Sequence, residues 1–233
     1  MAEPPHAPRA VLLDALGTLV ELDDPVGGLL RALRARGVEP DPRAVGAALR
    51  AEIGYYRAEH HVAVDAASLA ALRRGCARVF ADALGAPLAD MADDTVHDAL
   101  LEGLRFRAFD DAGPALAALR AGGARLAVVS NWDVSLHEVL ATTGLAAGVD
   151  VVLTSAQERT QKPAPELFLR ALDRLGGIDP ADALHVGDDL LADVGGARAA
   201  GVEPVLIDRE GVGGPADGAR VIRTLAELPG AAR

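Results

Sequence analysis

The chain has 233 residues, 50% hydrophobic and 24% charged, with 25 Gly and 14 Pro, a composition that supports a buried core and excludes disorder as the main state. A formal net charge of −11 argues against nucleic-acid and anionic-membrane partners, whose binding draws on Lys and Arg. The single Cys excludes a disulfide framework and a cysteine zinc site, and the length fits one large domain or a domain with a sizeable insertion.

Met1 to Arg9 is Pro-rich and contains Glu3, so it has neither the basic start nor the apolar stretch of a signal peptide. No apolar run approaches the roughly 18 residues of a membrane helix, and the expected location is cytoplasmic. A first buried strand over Ala10 to Asp14 runs into Asp14-Ala15-Leu16-Gly17-Thr18-Leu19. From Val20 to Arg107 the pattern is helical, without a convincing strand. The helices expected there cover Pro25 to Arg36, Pro42 to His61, Ala66 to Leu84 and Asp90 to Leu104. Asp41-Pro42 supplies an N-cap followed by Pro in the first turn, and Val45, Leu49, Ile53 and Tyr56 recur at spacings of three or four, as a buried stripe requires. This stretch, residues 20–107, reads as an inserted helical domain; residues 1–19 and 108–233 form the main domain.

Beyond the insert, short β-branched runs at Arg125 to Ser130, Asp150 to Thr154, Leu184 to Val186 and Pro204 to Ile207, with a further one near Val221, alternate with helical patterns. The helices are Val134 to Thr143, Pro165 to Leu175 and Leu191 to Ala200, closed by Gly144, Gly176 and Gly201 where positive φ is needed. The alternation predicts βαβ units and a parallel sheet, an α/β fold. Gly211 to Gly218 reads as a flexible loop before a last short helix at Leu225.

Ligands of an open parallel sheet bind beyond the carboxyl ends of its strands, which directs attention to four strand ends. Asp14 to Thr18 on its own fits an ordinary capped turn as well as a functional loop. Ser130-Asn131-Trp132-Asp133 offers a hydroxyl and backbone N–H groups to an anion, although a plain helix cap would look the same. Lys162, before Pro163, is the only lysine among the 23 basic residues, which suggests that a compact ammonium was needed where a forked guanidinium would not fit. After the fourth strand, Asp188, Asp189 and Asp193 fall within six positions. Capping accounts for one acid, but three would repel one another without a cation or donors; such hard oxygen ligands suit Mg²⁺.

Taken in order, Asp-x-x-Gly-Thr, Ser-Asn, Lys-Pro and Gly-Asp-x-x-x-x-Asp-x-x-Gly-Ala resemble the haloacid dehalogenase superfamily of hydrolases, and the helical insert after the first motif resembles the cap of its subfamily I. The resemblance implies a Rossmann-like core with an inserted helical cap. It makes Asp14 the nucleophile, forming a covalent aspartyl intermediate, with Thr18, Ser130 and Asn131 holding the substrate anion and Lys162 stabilising the transition state. It also implies Mg²⁺ held by Asp14, the backbone carbonyl of Leu16 and Asp188, with Asp193 ligating or orienting a metal-bound water. The substrate class implied is a small phosphorylated metabolite; no feature of the sequence specifies an oligomeric state or a role for Asp189.

The chain departs from the pattern at Leu16, where family phosphatases carry a second Asp as general acid and base. A positioned acid–base group is worth roughly 10²- to 10⁴-fold, so slow phosphatase turnover is expected. His60, His61 and His97 are candidate substitutes, each better read as a surface or packing residue. Family dehalogenases lack the second acid and need no metal, so Leu16 leans toward a 2-haloacid dehalogenase while the three late acids lean toward metal-dependent phosphoryl transfer. A catalytically weak binding or scaffold protein on the same fold is the remaining alternative. Tyr55, Tyr56, Arg57 and Trp132 are bulky or charged groups near the expected cleft, with packing the default role for the tyrosines.

Overall fold

The computed structural model describes residues 8–211 and 217–228; the reading of the amino terminus over residues 1–7, and the central part of the Gly211 to Gly218 loop, fall outside these. In chain order the elements are β1 (Ala10–Leu13), β2 (Val20–Leu22), α1 (Pro25–Arg34), α2 (Pro42–Glu59), α3 (Ala66–Leu84), α4 (Asp93–Gly103), β3 (Phe106–Ala108) and α5 (Ala112–Ala121). They continue with β4 (Arg125–Ser130), α6 (Leu136–Thr142), β5 (Val151–Thr154), α7 (Ser155–Glu158), α8 (Pro165–Arg174), β6 (Ala183–Gly187), α9 (Gly196–Ala199), β7 (Glu203–Ile207) and β8 (Arg220–Ile222). Contacts along the chain separate two compact units. One joins the residues up to Glu21 with those from Ala108 onward, and the other is Leu22–Arg107.

The first unit is built on six parallel strands in the order β5-β4-β1-β6-β7-β8. From β1 the chain adds β4 and β5 on one side, then returns to add β6, β7 and β8 on the other, so β1 and β6 flank the point where the strand order reverses. All four residues of β1 are buried, as expected for a parallel sheet covered on both faces. Ala10 and Leu12 join Ala127, Val129, Leu167 and Phe168 in one apolar cluster, and Val11 and Leu13 alternate to the opposite face. Gly144, Gly176 and Gly201 all have positive φ, at 76°, 106° and 76°.

Two expectations are corrected. The stretch from Val20 to Arg107 does contain strands at its ends, because β2 and β3 pair with each other where the chain passes between the units; three residues each are too short to show an alternating pattern. The helix expected over Leu191 to Ala200 opens instead as a π-helical turn, Leu190–Gly195, in which Val194 N–H bonds to the Asp189 carbonyl at 3.2 Å before α9 begins. Such wide turns gather at functional sites. Here the turn brings the Asp193 carboxyl carbon to within 2.1 Å of where a Cβ on Gly187 would sit, so Gly187 has to be glycine.

The helical unit follows from its caps and stripes. Asp41 accepts from Ala44 N–H at the start of α2, with Pro42 in the first turn, and Asp65 forms a capping box with Ser68 on α3. Val45 and Leu49 are buried with Leu29, Leu33, Phe80 and Leu100, and Ile53 packs at the edge of that cluster. Among the described residues no helix is long and apolar enough to cross a membrane.

Glycines in this unit allow a paired test. A Cβ at Gly28 of α1 would lie 2.1 Å from the Gly103 carbonyl oxygen of α4, whereas at Gly54 on the exposed side of α2 it would meet nothing within 4 Å. Gly28→Ala should therefore destabilise the protein by about 1–3 kcal/mol, the usual cost of overpacking. Gly54→Ala should stabilise it by about 0.5–1 kcal/mol through helix propensity. Denaturant unfolding of both variants measures the difference, and shifts of the same sign would contradict this packing.

Candidate active site

Asp14 follows β1 at the reversal point, and its backbone N–H bonds to the Val186 carbonyl at 2.9 Å, extending the pairing with β6. Its Oδ1 accepts from Ser130 Oγ at 2.9 Å, at the end of β4, and from Lys162 Nζ at 2.6 Å. Lys162 Nζ also donates to Asp193 Oδ1 at 2.5 Å. His185 Nε2 donates to that same oxygen at 2.8 Å, and Asp189 N–H reaches Asp193 Oδ2 at 3.0 Å. Asp14, Lys162 and Asp193 are all buried.

The segment around Lys162 is fixed by Asn131. Its Oδ1 accepts from Lys162 N–H at 2.8 Å and its Nδ2 donates to the Lys162 carbonyl at 2.9 Å. Both polar atoms of the Asn131 side chain, expected among the anion binders, thus bond the Lys162 backbone. Thr18 Oγ1 is buried without a hydrogen-bond partner. Asp189, whose role was open, caps the π-helical turn by accepting from Leu191 and Ala192 N–H at 2.8 and 2.7 Å. Leu16 is exposed and its backbone bridges to Val20.

Charges in this cluster are strongly coupled. Burial pushes the Asp14 carboxyl up, Asp193 adds to that, and Lys162 and Ser130 oppose it without reversing it. For Lys162 burial disfavours the ammonium, yet the charges of Asp14 and Asp193 outweigh it and hold the group above its ordinary range. Burial also works against the Asp193 carboxylate, but Lys162 and His185 keep it well below the usual carboxylate range. Asp188 has no such donor. Burial first, then the charges of Asp14 and Asp193, push it to about 7, although part of its side chain reaches solvent.

Oxygen atoms of Asp14, Asp188 and Asp193 lie within 4.8 Å of one another, with one ammonium set against three carboxylates. The donor set is all hard oxygen and carries surplus negative charge, which fits Mg²⁺. Gly17 makes room for this arrangement: at φ 80° it lies so close to Asp188 that a Cβ would fall 2.3 Å from Oδ2.

The candidate proton donors of the insert belong to the helical unit. His60 is buried, stacks on Tyr56 and donates from Nδ1 to the Arg57 carbonyl at 3.1 Å; His97 lies 3.1 Å from Asp98. Tyr55 and Tyr56 pack around Ala63, Leu72 and Cys76. Trp132 is buried and donates from Nε1 to Ser135 Oγ at 3.3 Å. The sequence reading missed His185. Its signal was a polar residue inside an apolar strand, two positions before Gly187 and so on the same face.

A family model described as haloacid dehalogenase-like hydrolase matches residues 8–201. Haloacid dehalogenase-like hydrolase domain-containing protein 3 of Homo sapiens is 32% identical over 220 residues, covering 85% of this chain and 81% of that protein. A phosphoserine phosphatase of Thermus thermophilus is 38% identical over 137 residues, 57% of this chain and 54% of that protein. The crystal structure of a HAD phosphatase from Thermococcus onnurineus aligns with a TM-score of 0.63 at 26% identity, covering 94% of this chain and 95% of that one.

Asp188 links this electrostatics to a measurable pH dependence. Its folded pKa of about 7 exceeds the ordinary 3.8, so its contribution to stability is full below about 4 and is lost as pH rises through 7. A Mg²⁺ ion held at this cluster would compete with that proton for the same oxygens. Mg²⁺ should therefore raise Tm more at pH 8 than at pH 5.5, and Asp188→Asn should abolish the difference. Thermal unfolding with Mg²⁺ and with chelator at both pH values tests this; equal Mg²⁺ effects in the unaltered protein would contradict it.

Proposed function

The chain belongs to the haloacid dehalogenase-like hydrolases, and on that premise we propose that it is a Mg²⁺-dependent phosphatase of a small phosphorylated metabolite, acting through an aspartyl-phosphate at Asp14. The observation that carries this reading is the buried Asp14 carboxylate, bonded by Lys162 and Ser130 and adjoined by Asp188 and Asp193. Asp14, the Leu16 carbonyl and Asp188 would hold Mg²⁺, with Asp193 positioned by Lys162 and His185. When bound, the metal neutralises charge on the phosphoryl oxygens.

The chain's own groups divide the remaining work. Thr18 and Ser130 hold the phosphoryl oxygens while Asp14 attacks phosphorus, and the ester P–O bond breaks as the new acyl phosphate bond forms. Lys162 offsets charge on Asp14 before attack and on the transferred group afterwards. Water then attacks the acyl phosphate, releasing inorganic phosphate and restoring the Asp14 carboxylate. Leu16 can supply no proton to the departing oxygen, which takes it from water, so turnover is slower by roughly 10²- to 10⁴-fold than with a positioned acid. The helical unit takes the part of the cap. The likeness to the Thermus phosphoserine phosphatase supports the phosphoryl chemistry.

Leu16 favours a second reading, in which Asp14 attacks carbon of a 2-haloacid and halide leaves without a proton. The surplus of carboxylates weighs against it, since a metal-free site would leave Asp188 uncompensated.

Asp14→Asn should lower hydrolysis of 4-nitrophenyl phosphate by at least about a thousandfold, as loss of a nucleophile does elsewhere, with thermal unfolding little changed. Chelator should silence the unaltered chain and Mg²⁺ should restore it. An undiminished rate in the Asn variant would contradict the mechanism, and chelator-insensitive halide release from a 2-haloacid would establish the second reading.

A further inference from the structure

Arg209, two residues beyond β7, has no part in the chemistry above, yet its guanidinium is directed at the turn that carries the site. Nε donates to the Gly17 carbonyl at 3.2 Å and Nη2 to the Thr18 carbonyl at 2.6 Å. The same group pairs with both oxygens of Asp111, Nη1 with Oδ2 at 3.1 Å and Nη2 with Oδ1 at 3.0 Å. Its Cζ lies 3.6 Å from the centroid of the Phe109 ring. Asp111 is itself anchored, since Oδ2 accepts from Thr224 Oγ1 at 2.6 Å and from Leu225 N–H at 2.8 Å. The arginine is therefore held on one side by a fixed carboxylate and an aromatic face, and grips two consecutive carbonyls on the other.

Those carbonyls flank functional atoms. The Leu16 carbonyl precedes Gly17, and the buried, unpartnered Thr18 hydroxyl belongs to the second residue gripped. Gly17 also lies against Asp188, where a Cβ would fall 2.3 Å from Oδ2, so the turn is confined between the Asp188 carboxylate and the Arg209 fork. A displacement of the turn alters the Leu16 carbonyl, the Thr18 hydroxyl and the space for Asp188 together. A planar guanidinium can meet two carbonyls and a bidentate carboxylate at once, and an ammonium cannot.

We propose that Arg209, locked by Asp111 and Phe109, is a positioning residue that sets the Leu16-Gly17-Thr18 turn for binding Mg²⁺ and the substrate anion. The proposal rests on the reading of the site as a Mg²⁺-dependent phosphatase, and two of its measurements need no turnover. They are the affinity for Mg²⁺ alone by calorimetry and hydrogen–deuterium exchange of residues 15–19, where the Gly17, Thr18 and Leu19 amides are hydrogen-bonded within the turn. The third follows steady-state hydrolysis of the nitrophenyl ester, with kcat and KM determined separately.

In Arg209→Gln the Kd for Mg²⁺ should rise about tenfold or more, the usual effect of losing a group that orients metal ligands. Exchange across residues 15–19 should quicken while the β1 and β4 segments stay protected, and KM should rise as kcat falls. Arg209→Lys keeps the charge without the fork and should fall between the two proteins. A lowered Tm with unchanged Mg²⁺ affinity and unchanged exchange would make Arg209 a plain structural strut and overturn the proposal. If Arg209→Gln fails to fold, Arg209→Lys decides the matter: weaker Mg²⁺ binding with faster exchange supports the proposal, and unaltered values overturn it. Should the unaltered chain bind no Mg²⁺, the phosphatase reading fails separately and exchange alone decides the role of Arg209.

Discussion

Lys162 Nζ lies 2.6 Å from Asp14 and 2.5 Å from Asp193 with its side chain almost wholly removed from water, and this charge cluster constrains everything packed around it. Buried ions are tolerated only when paired and hydrogen-bonded, because desolvation otherwise exceeds the Coulombic gain. Each member accordingly has further partners: Ser130 on Asp14, and His185 with Asp189 N–H on Asp193. Asn131 holds the lysine backbone by both of its amide atoms. The ammonium cannot balance a third carboxylate as well, and Asp188 is left with a raised pKa.

The sheet delivers these groups to one place. Asp14 and Asp188 follow β1 and β6 and Ser130 ends β4, three adjacent strands at the point where the strand order reverses, so parallel pairing alone brings three chain segments within reach. Lys162 arrives from the loop before α8, and Asp193 from the π-helical turn after β6. Close backbone approach completes the arrangement, with Gly17 beside Asp188 and Gly187 beside Asp193. A side chain at either glycine would occupy the volume of a carboxylate, so the fold and the electrostatics impose the same requirement on these positions.

Much of this was legible in the sequence because the signals were local. Buried parallel strands read as apolar runs, and Asp41-Pro42 and Gly144 mark helix ends through backbone chemistry that needs no tertiary context. Asp14, Lys162, Asp188 and Asp193 stood out through residue type and spacing. What escaped depends on contacts between distant segments. His185 looks like part of an apolar strand until Asp193 is placed beside it. Arg209 is one arginine among many until Asp111, nearly a hundred residues earlier, and Gly17 meet it. The bonds of the Asn131 side chain to Lys162 span 31 positions and leave no local signal. Helix α5 was not anticipated because its Ala-Gly-Pro start and Ala-rich body lack an amphipathic contrast, and its stability comes from burial of Leu116 and Leu119.

The site depends most on the Lys162 ammonium set between two buried carboxyl groups, and a charge-deleting variant tests that without reference to any substrate. Lys162→Met preserves much of the side-chain volume and removes the ammonium, so in metal-free conditions Asp14 and Asp193 must either repel one another or take up a proton. Denaturant unfolding of both proteins in chelator should show a loss of about 3–5 kcal/mol at pH 7, the usual cost of breaking a buried pair. The loss should be clearly smaller at pH 5. In the variant the carboxyl pKa values rise above their unfolded values, so its folded state gains stability as pH falls. An equal loss at both pH values, or none at pH 7, would contradict the claim that this ammonium holds the site together.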